Sequence, residues 1–300
     1  MVGKFRLRLS LAYYRIRDMN WFPLVIAGAF ASALSNLLIK VGLHHRQVDP
    51  LAFGSAFQLV AATYTLPWLV LQPPTMPSDP ILWALLGLSC VCYTSATFFW
   101  FRAIKLTDVS EVSIFLGTRP LWVLTAGLVL GREAAGPFKF VLMLVVIGGL
   151  VIVFYEKGKF RFGGPERMAF LATISFSCSS VIDSYLSPSF SPNVYQLVTF
   201  VGPALGLLVV DPGAVRRMGS LAGRRAILGL VSSSLMLLLA VTAVYLAYRY
   251  GDASRVVAAF QLSAIMTVLL SALFVNERNN LPRKLAGSIV VVIGVTFLRV

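Results

Sequence analysis

The chain alternates long apolar stretches with short polar gaps. About 20 mostly apolar residues cross the ~30 Å hydrocarbon core of a bilayer, so this pattern predicts ten membrane-spanning helices. The gaps contain proline, glycine and charged residues, which end helices. We therefore expect an all-α integral membrane protein with spans at residues 20–43, 51–71, 81–104, 109–130, 138–155, 167–187, 194–210, 226–249, 253–275 and 282–299.

The composition leads to the same class of protein. Hydrophobic residues make up 58% of the 300 positions and charged residues 13%, and the mean hydropathy is +0.82. Ordinary globular proteins are roughly 45–50% apolar and 25% charged. A soluble protein of this length has too little interior for so much apolar side chain. The composition excludes a water-soluble protein and predicts a multi-pass protein of the cell membrane.

The formal net charge of +14 raises the question of nucleic acid as a partner. Most of the basic residues, however, lie in short gaps between apolar stretches. This placement favours contact with the anionic head groups of a lipid bilayer, and we expect no nucleic-acid partner.

The chain has few of the cysteine and histidine residues that commonly bind metals or take part in catalysis. Cys90, Cys92 and Cys178 have no metal-ligand spacing, and the two histidines, His44 and His45, are adjacent in one connecting segment. A zinc centre or a histidine-dependent catalytic triad is therefore not expected within the membrane. We predict no metal site and no cofactor.

Two stretches of the chain match at a constant offset of 144 residues. The shared features include a basic residue that ends one helix, an Asp that opens the next, and a Glu beyond its far end. If each repeated unit has five helices, an odd number, the second copy enters the membrane from the opposite side. This predicts two inverted repeats. The matches are Ala103 with Ala247, Lys105 with Arg249, Asp108 with Asp252, Ser110 with Ser254, Val112 with Val256 and Glu133 with Glu277.

The expected boundaries follow from these spans. A basic arm covers residues 1–19, the first five-helix unit covers 20–155, and the second covers 156–300. The arm contains five Lys and Arg residues among its first 17 positions. It is either an ordinary cytoplasmic flank or an amphipathic helix that lies on the membrane surface.

The repeated segments resemble the signature of the drug/metabolite transporter superfamily, EamA type. They run from Ala103-Ile-Lys-Leu-Thr-Asp-Val-Ser to Gly131-Arg-Glu133 and from Ala247-Tyr-Arg-Tyr-Gly-Asp-Ala-Ser to Asn276-Glu277. Ser35-Asn36-Leu-Leu-Ile-Lys40 also resembles that family's opening span. The resemblance implies a ten-helix carrier of small polar metabolites, amino acids, sugar-phosphate or nucleotide-sugar compounds, or amphipathic cations. Ala33-Leu34 and Asn276 depart from the family pattern, which leaves the subfamily open.

The distribution of positive charge gives conflicting orientations for the two halves. With the N-terminus in the cytoplasm, the first half has seven Lys and Arg inside and four outside, as the positive-inside rule requires. The second half has eleven outside and three inside. We adopt the cytoplasmic N-terminus because the first helix usually dominates.

Arg119 is the most unusual residue within an apolar run. It lies 11 residues from both Asp108 and Leu130, or roughly 16 Å from either end of its helix at about 1.5 Å per residue. A charge at this depth normally faces a partner or a wet cavity. Its planar guanidinium suits carboxylate or phosphate, so we predict that Arg119 binds an anionic group of a substrate; the alternative is a structural ion pair. Pro120, the next residue, is expected to kink the helix.

Two carboxylates are candidates for coupling transport to protons. Glu111 lies eight residues before Arg119, too far along the axis for direct pairing, and its alternative role is an ion pair with Lys40 or Arg102 near the membrane surface. Asp183 follows a serine-rich stretch, and its alternative role is a solvated helix end.

Uncharged polar residues recur at similar depth in both halves. The offset of 144 pairs Ser263 with Arg119 and Ser180 with Asn36, which predicts a shared cavity. We therefore expect Asn36, Gln58, Gln261 and Ser263 to bind substrate together with Arg119. Bonding to a neighbouring helix is the alternative for either Gln. Glu133 and Glu277 are expected to cap the amide ends of the next helix.

The predicted function is secondary-active or exchange transport of a small anionic or zwitterionic metabolite by alternating access. The phosphate-binding motif G-x-x-x-x-G-K-[ST] is absent from the sequence, which argues against ATP hydrolysis by this chain. The alternatives are a lipid flippase or a non-transporting membrane subunit. An intramembrane protease built on Asp252 is more remote, since no second carboxylate is placed to share a proton with it.

Overall fold

The computed structural model describes the backbone of residues 2–43, 48–71, 74, 76–129, 137–156, 159–160, 162–186, 189–247, 250, 256, 259–277 and 280–297. The described residues form helices joined by short connections, with one antiparallel pair of two-residue strands between the halves. The elements are α1 (Val2–Leu43), α2 (Pro50–Leu71), α3 (Pro80–Leu106), α4 (Val109–Gly117), α5 (Arg119–Val129), α6 (Pro137–Phe154), β1 (Tyr155–Glu156), β2 (Lys159–Phe160), α7 (Gly164–Leu186), α8 (Pro192–Val210), α9 (Gly213–Arg217), α10 (Arg224–Ala247), α11 (Leu262–Leu270) and α12 (Leu281–Phe297).

Each of the ten apolar stretches contains helix. The protein is therefore an all-α integral membrane protein. In the described part of the chain, five helices are both long and apolar enough to cross a bilayer, and two shorter apolar helices accompany them. The long spans are Trp21–Leu43, Pro80–Leu106, Gly164–Leu186, Pro192–Val210 and Arg224–Ala247, and the shorter helices are Leu144–Val153 and Leu262–Val275.

The fourth and ninth stretches are not continuous α-helices. Thr118 separates α4 from α5, because Pro120 has no amide hydrogen and its ring collides with the carbonyl of the preceding turn. The break places Arg119 at the first position of α5. In the second half, α11 continues into a π-helical turn, Ser271–Val275, which ends at Asn276 in the left-handed conformation (φ 58°).

The basic arm continues the first span. Its described backbone is helical from Val2 and forms the first part of α1, which continues without interruption into the span. At about 1.5 Å per residue the whole helix is roughly 63 Å long, about twice the thickness of the hydrocarbon core.

The packing of the helices repeats between the two halves. Corresponding elements are α1 and α7, α2 and α8, α3 and α10, and α6 and α12. The most extensive contact, α1 with α10, has its counterpart in the next most extensive, α3 with α7. α2 packs against α8, and α6 packs against α12. Each of these pairs joins two corresponding helices, so exchanging the halves leaves the pair unchanged. Two related five-helix units around a twofold axis produce this exchange, and an odd number of spans inverts the second unit.

Glycine allows helices of the two halves to approach closely. A Cβ at Gly229 of α10 would lie 2.7 Å from the Cα of Gly42 in α1. A Cβ at Gly287 of α12 would lie 2.8 Å from the carbonyl oxygen of Gly149 in α6. Small residues at such crossings bring helix backbones together in membranes, where packing replaces the hydrophobic effect.

Candidate functional site

A cavity of about 160 Å³ lies between the two halves of the protein. An engineered cavity of about 150 Å³ holds benzene, so this volume suits a small metabolite. α1, α2, α3, α4 and α5 of the first half contribute to its wall, as do α7, α8, α10 and the start of α11 in the second. Six residues selected from the sequence line it: Arg119, Gln261, Asn36, Gln58, Ser263 and Asp183.

Arg119 reaches across the cavity wall to α7. Its Nη2 donates to the Ser180 hydroxyl and, at 3.3 Å, to the carbonyl oxygen of Phe176. The guanidinium carbon also lies 5.3 Å from the centre of the Phe176 ring, a cation–π distance. Among the residues that the structure describes, no carboxylate forms an ion pair with Arg119. Its charge is held by neutral groups beside open space.

Asp183 is buried and held by hydroxyl groups. Ser89 donates to Oδ1 at 2.9 Å, Tyr195 donates to the same oxygen, and Tyr93 donates to Oδ2. The donors come from α3 and α8, and Asp183 itself lies on α7, so three helices meet at this carboxylate. Both oxygens of this carboxylate therefore already have hydrogen-bond partners within the protein.

The uncharged polar residues are fixed by other helices. Asn36 Nδ2 donates to Ser113 Oγ at 3.4 Å and to Thr267 Oγ1 at 3.5 Å. Gln58 Nε2 donates to Thr97 Oγ1 at 3.2 Å. The alternative predicted for a Gln, bonding to a neighbouring helix, therefore describes one end of the Gln58 amide.

Three residues of the cavity wall carry a buried polar atom without a hydrogen-bond partner among the described residues. These atoms are Gln58 Oε1, Trp100 Nε1 and Arg119 Nε. Buried polar groups are normally paired, so unpaired ones deserve a specific explanation.

Aromatic residues pack at the edge of the cavity next to residues 189–191. The rings of Tyr195 and Tyr245 stack with their centres 5.2 Å apart, and the Tyr245 hydroxyl donates to the Phe190 carbonyl oxygen at 2.9 Å. Both tyrosines line the cavity. Tyr245 therefore both packs against a neighbouring ring and lines the cavity.

Sequence reasoning missed several residues of this wall. Tyr93, Tyr195 and Phe176 line the cavity but were not selected. Tyr93 carries a polar hydroxyl in the middle of an apolar run, which was an available signal. The sequence contained no comparable signal for Phe176.

Glu111 lies outside the cavity, in a second group of charges. Its Oε2 accepts from Thr107 Oγ1 at 2.8 Å, and its Oε1 is 3.7 Å from Nζ of Lys284. Lys284 is 3% exposed and also pairs with Asp108. Lys284 of α12 in the other half is therefore an ion-pair partner that was not expected from the sequence. Lys40, one of the two expected partners, also interacts electrostatically with Glu111.

Glu277 belongs to the same group, and it does not cap the helix that was predicted from the sequence. Its carboxylate accepts from Val109 N at 3.1 Å, Ser110 N at 3.3 Å and Ser110 Oγ at 3.1 Å. It therefore caps α4 in the other half, and not the next helix along the chain as expected. Glu133, Arg249, Asp252 and Ser254 lie outside the described residues.

The sequence model of the EamA-like transporter family matches the chain twice, over residues 19–155 and 166–300. The chain belongs to the EamA-like transporter family. This is a family of integral membrane transporters and not of enzymes, which removes the intramembrane protease alternative. No protein of curated function matches the sequence.

The fold also occurs among solved structures. One crystal structure is similar with a TM-score of 0.58, covers 92% of this chain and 96% of its own, and shares 15% sequence identity. At this identity the likeness shows the fold alone.

Proposed function

We propose that this transporter moves a small anionic or zwitterionic metabolite, such as an amino acid or a phosphorylated compound, by alternating access. The observation that carries the proposal is the position of Arg119 on a cavity between the two halves, where no carboxylate of the described residues forms an ion pair with it. Residues 1–19 are then a basic arm, and residues 20–155 and 156–300 are the two units that rock about the cavity.

The proposed substrate site consists of Arg119, Gln261, Asn36, Gln58 and Ser263. Arg119 binds the anionic group of the substrate, because a guanidinium donates to carboxylate or phosphate through two parallel N–H groups. Nε, which has no hydrogen-bond partner among the described residues, is one of the donors that such a fork uses. The side chains of Asn36 and Gln58 orient the remaining polar groups of the substrate.

The chain contains no nucleotide-binding motif, so we propose that a gradient drives transport, through exchange or proton coupling. Asp183 is the candidate that lies on the cavity, where a proton and a substrate can compete for the same carboxylate. Glu111 is the weaker candidate because Lys284 and Thr107 already occupy its oxygens.

Counterflow in proteoliposomes tests the proposed function. Purified protein is reconstituted into vesicles preloaded with unlabelled amino acids or phosphorylated sugars, and entry of the labelled compound is followed with and without a pH gradient. We expect labelled compound to accumulate transiently above its external concentration. Entry at the rate of protein-free liposomes for every compound, with folded protein in the vesicles, would contradict transport of these classes and leave a flippase or a subunit.

A further inference from the structure

A second pocket lies at the end of the molecule opposite to the N-terminus of α1. Its volume is about 560 Å³, within the roughly 300–1,000 Å³ that is usual for ligand pockets. No described residue lines both this pocket and the cavity between the halves. The wall is formed by the end of α1, by residues 219–226 and by the π-helical turn that follows α11. The pocket therefore lies where the first half meets the second.

The charged side chains of this wall are positive. Among the described residues that line the pocket, Lys40 and Arg225 carry charge. The Lys40 ammonium already donates to the carbonyl oxygens of Ile104 and Thr107, and it interacts electrostatically with the carboxylates around Lys284. Arg225 is exposed, and no carboxylate of the described residues forms an ion pair with it. Arg225 is therefore the cation that is available to an anion from outside the protein.

The first turn of α10 adds backbone donors to the same wall. The Gly223 carbonyl oxygen accepts from Ile227 N at 3.0 Å, so Arg224, Arg225 and Ala226 begin this 24-residue helix. The first amide groups of an α-helix have no partner within the helix, and the helix dipole makes this end positive. Phosphate groups bind readily at such an end. The Arg225 side chain and these amide groups can therefore serve the same anion.

The remaining part of the wall is apolar and faces lipid. Phe274 is 71% exposed and Val41 is 40% exposed, and both line the pocket. α1 ends at Leu43 and α10 begins at Arg224, so the pocket lies where the hydrocarbon core of the bilayer meets the head groups. A soluble anion would leave the apolar side chains uncovered. An amphipathic anion matches both parts of the wall.

We propose that this pocket binds one anionic glycerophospholipid, with its phosphate on Arg225 and the first amide groups of α10 and its acyl chains along Phe274 and Val41. Basic pockets between transmembrane helices bind lipid head groups in this way. A defined site differs from the diffuse attraction of basic residues to an anionic surface, because binding saturates at one lipid and depends on one arginine. The lipid contacts both halves, and its binding does not depend on what the central cavity carries.

Native mass spectrometry of the full purified chain in detergent measures this binding one lipid at a time. The probes are phosphatidylglycerol, phosphatidylcholine and glycerophosphoglycerol, which is the first head group without acyl chains. We expect one phosphatidylglycerol to bind about fivefold more tightly than phosphatidylcholine, because choline places a second cation near Arg225. Glycerophosphoglycerol should bind far more weakly. Equal binding of the two lipids, or equally tight binding of glycerophosphoglycerol, would overturn the proposal.

Two adjacent arginines provide a matched pair of variants. Arg225 lines the pocket and Arg224 does not, although both are exposed in the first turn of α10. Arg225→Gln should weaken binding of the first phosphatidylglycerol about tenfold, as expected for the loss of one hydrogen bond to a charged group. Arg224→Gln should weaken it much less. Equal effects of the two variants would indicate diffuse attraction and would contradict a defined site.

A change of shape tests the position of the lipid without a change of charge. A Cβ at Gly223 would meet no atom within 4 Å, and the same holds at Gly87 of α3, which lies outside the pocket. Gly223→Leu should therefore fold and weaken phosphatidylglycerol binding, while Gly87→Leu should leave it unchanged. Unchanged binding by Gly223→Leu would show that the lipid lies elsewhere. Should a variant fail to fold, the three probes on wild-type protein still decide the question.

Discussion

Two groups of buried and half-buried charges differ in how completely the protein pairs them. In the first, Lys284 lies between Asp108 and Glu111, and Glu277 caps the start of α4. In the second, Arg119 and Asp183 lie on the cavity and form no ion pair. Both groups are costly to bury, yet only the first has its opposite charges in contact.

The difference agrees with a structural role for the first group and with the substrate-binding role that we propose for the second. Lys284 and Glu277 belong to the second half, while Asp108, Glu111 and the start of α4 belong to the first, so this group joins the halves. Opposite charges held apart on a cavity wall do not stabilise one another in the same way. They remain available to a molecule that enters the cavity. Charges within a membrane protein commonly line such a cavity and take part in function there.

The largest effect on stability is expected at the paired group. Lys284→Met removes the cation between Glu111, which is buried, and Asp108, whose side chain is 34% exposed. Removing one partner of a buried ion pair typically costs about 3–5 kcal/mol, and the exposure of Asp108 places this case at the lower end. Thermal unfolding in detergent should show a clearly lower midpoint than for Arg225→Met, an exposed control. Equal midpoints would show that the pair contributes nothing.

A second experiment compares the carboxylates of the two groups. Asp183→Asn should remove pH-driven accumulation while counterflow of carboxylate-bearing compounds persists, because the proton-accepting oxygen at the cavity is lost. Glu111→Gln should keep pH-driven accumulation, since Glu111 faces Lys284 and Thr107. Uptake into proteoliposomes under an imposed pH gradient measures both. Loss of pH drive in Glu111→Gln alone would reverse the assignment, and no pH drive in wild type would refute coupling.

The smallest effect is expected at the cap. Glu277→Gln keeps the shape of the side chain and one acceptor for Val109 N, but it removes a negative charge from the start of α4. We expect a loss of about 1 kcal/mol in unfolding free energy, as for a charge at a helix N-terminus. Glu277→Ala, which removes every acceptor, should lose more. A Gln variant as unstable as the Ala variant would show that the charge carries the whole effect.

Much of the fold follows directly from the sequence. Each span is a contiguous apolar run, and the length of such a run is fixed by the thickness of the bilayer. Arg119 and Asp183 are conspicuous because ionisable residues inside such runs are rare and expensive. Pro120 predicts the break between α4 and α5, because proline has no amide hydrogen to donate within the helix.

The partners of these residues do not follow from the sequence in the same way. Lys284 and Asp108 are 176 positions apart, and Glu277 caps a helix 168 positions away. The three hydroxyls around Asp183 depend on how α3 and α8 are rotated about their axes. A hydropathy pattern gives the length of a helix but leaves its rotation, and hence its neighbours, to tertiary packing.

Uptake by Arg119→Gln tests the central claim most directly. The variant is compared in proteoliposomes with wild type and with Arg216→Gln, which removes an exposed arginine away from the cavity. The account predicts that Arg119→Gln unfolds at nearly the wild-type temperature but loses uptake of carboxylate-bearing substrates on the order of 100-fold, for about 3 kcal/mol of lost interaction with a buried charge. Wild-type uptake by a folded Arg119→Gln protein would contradict the account.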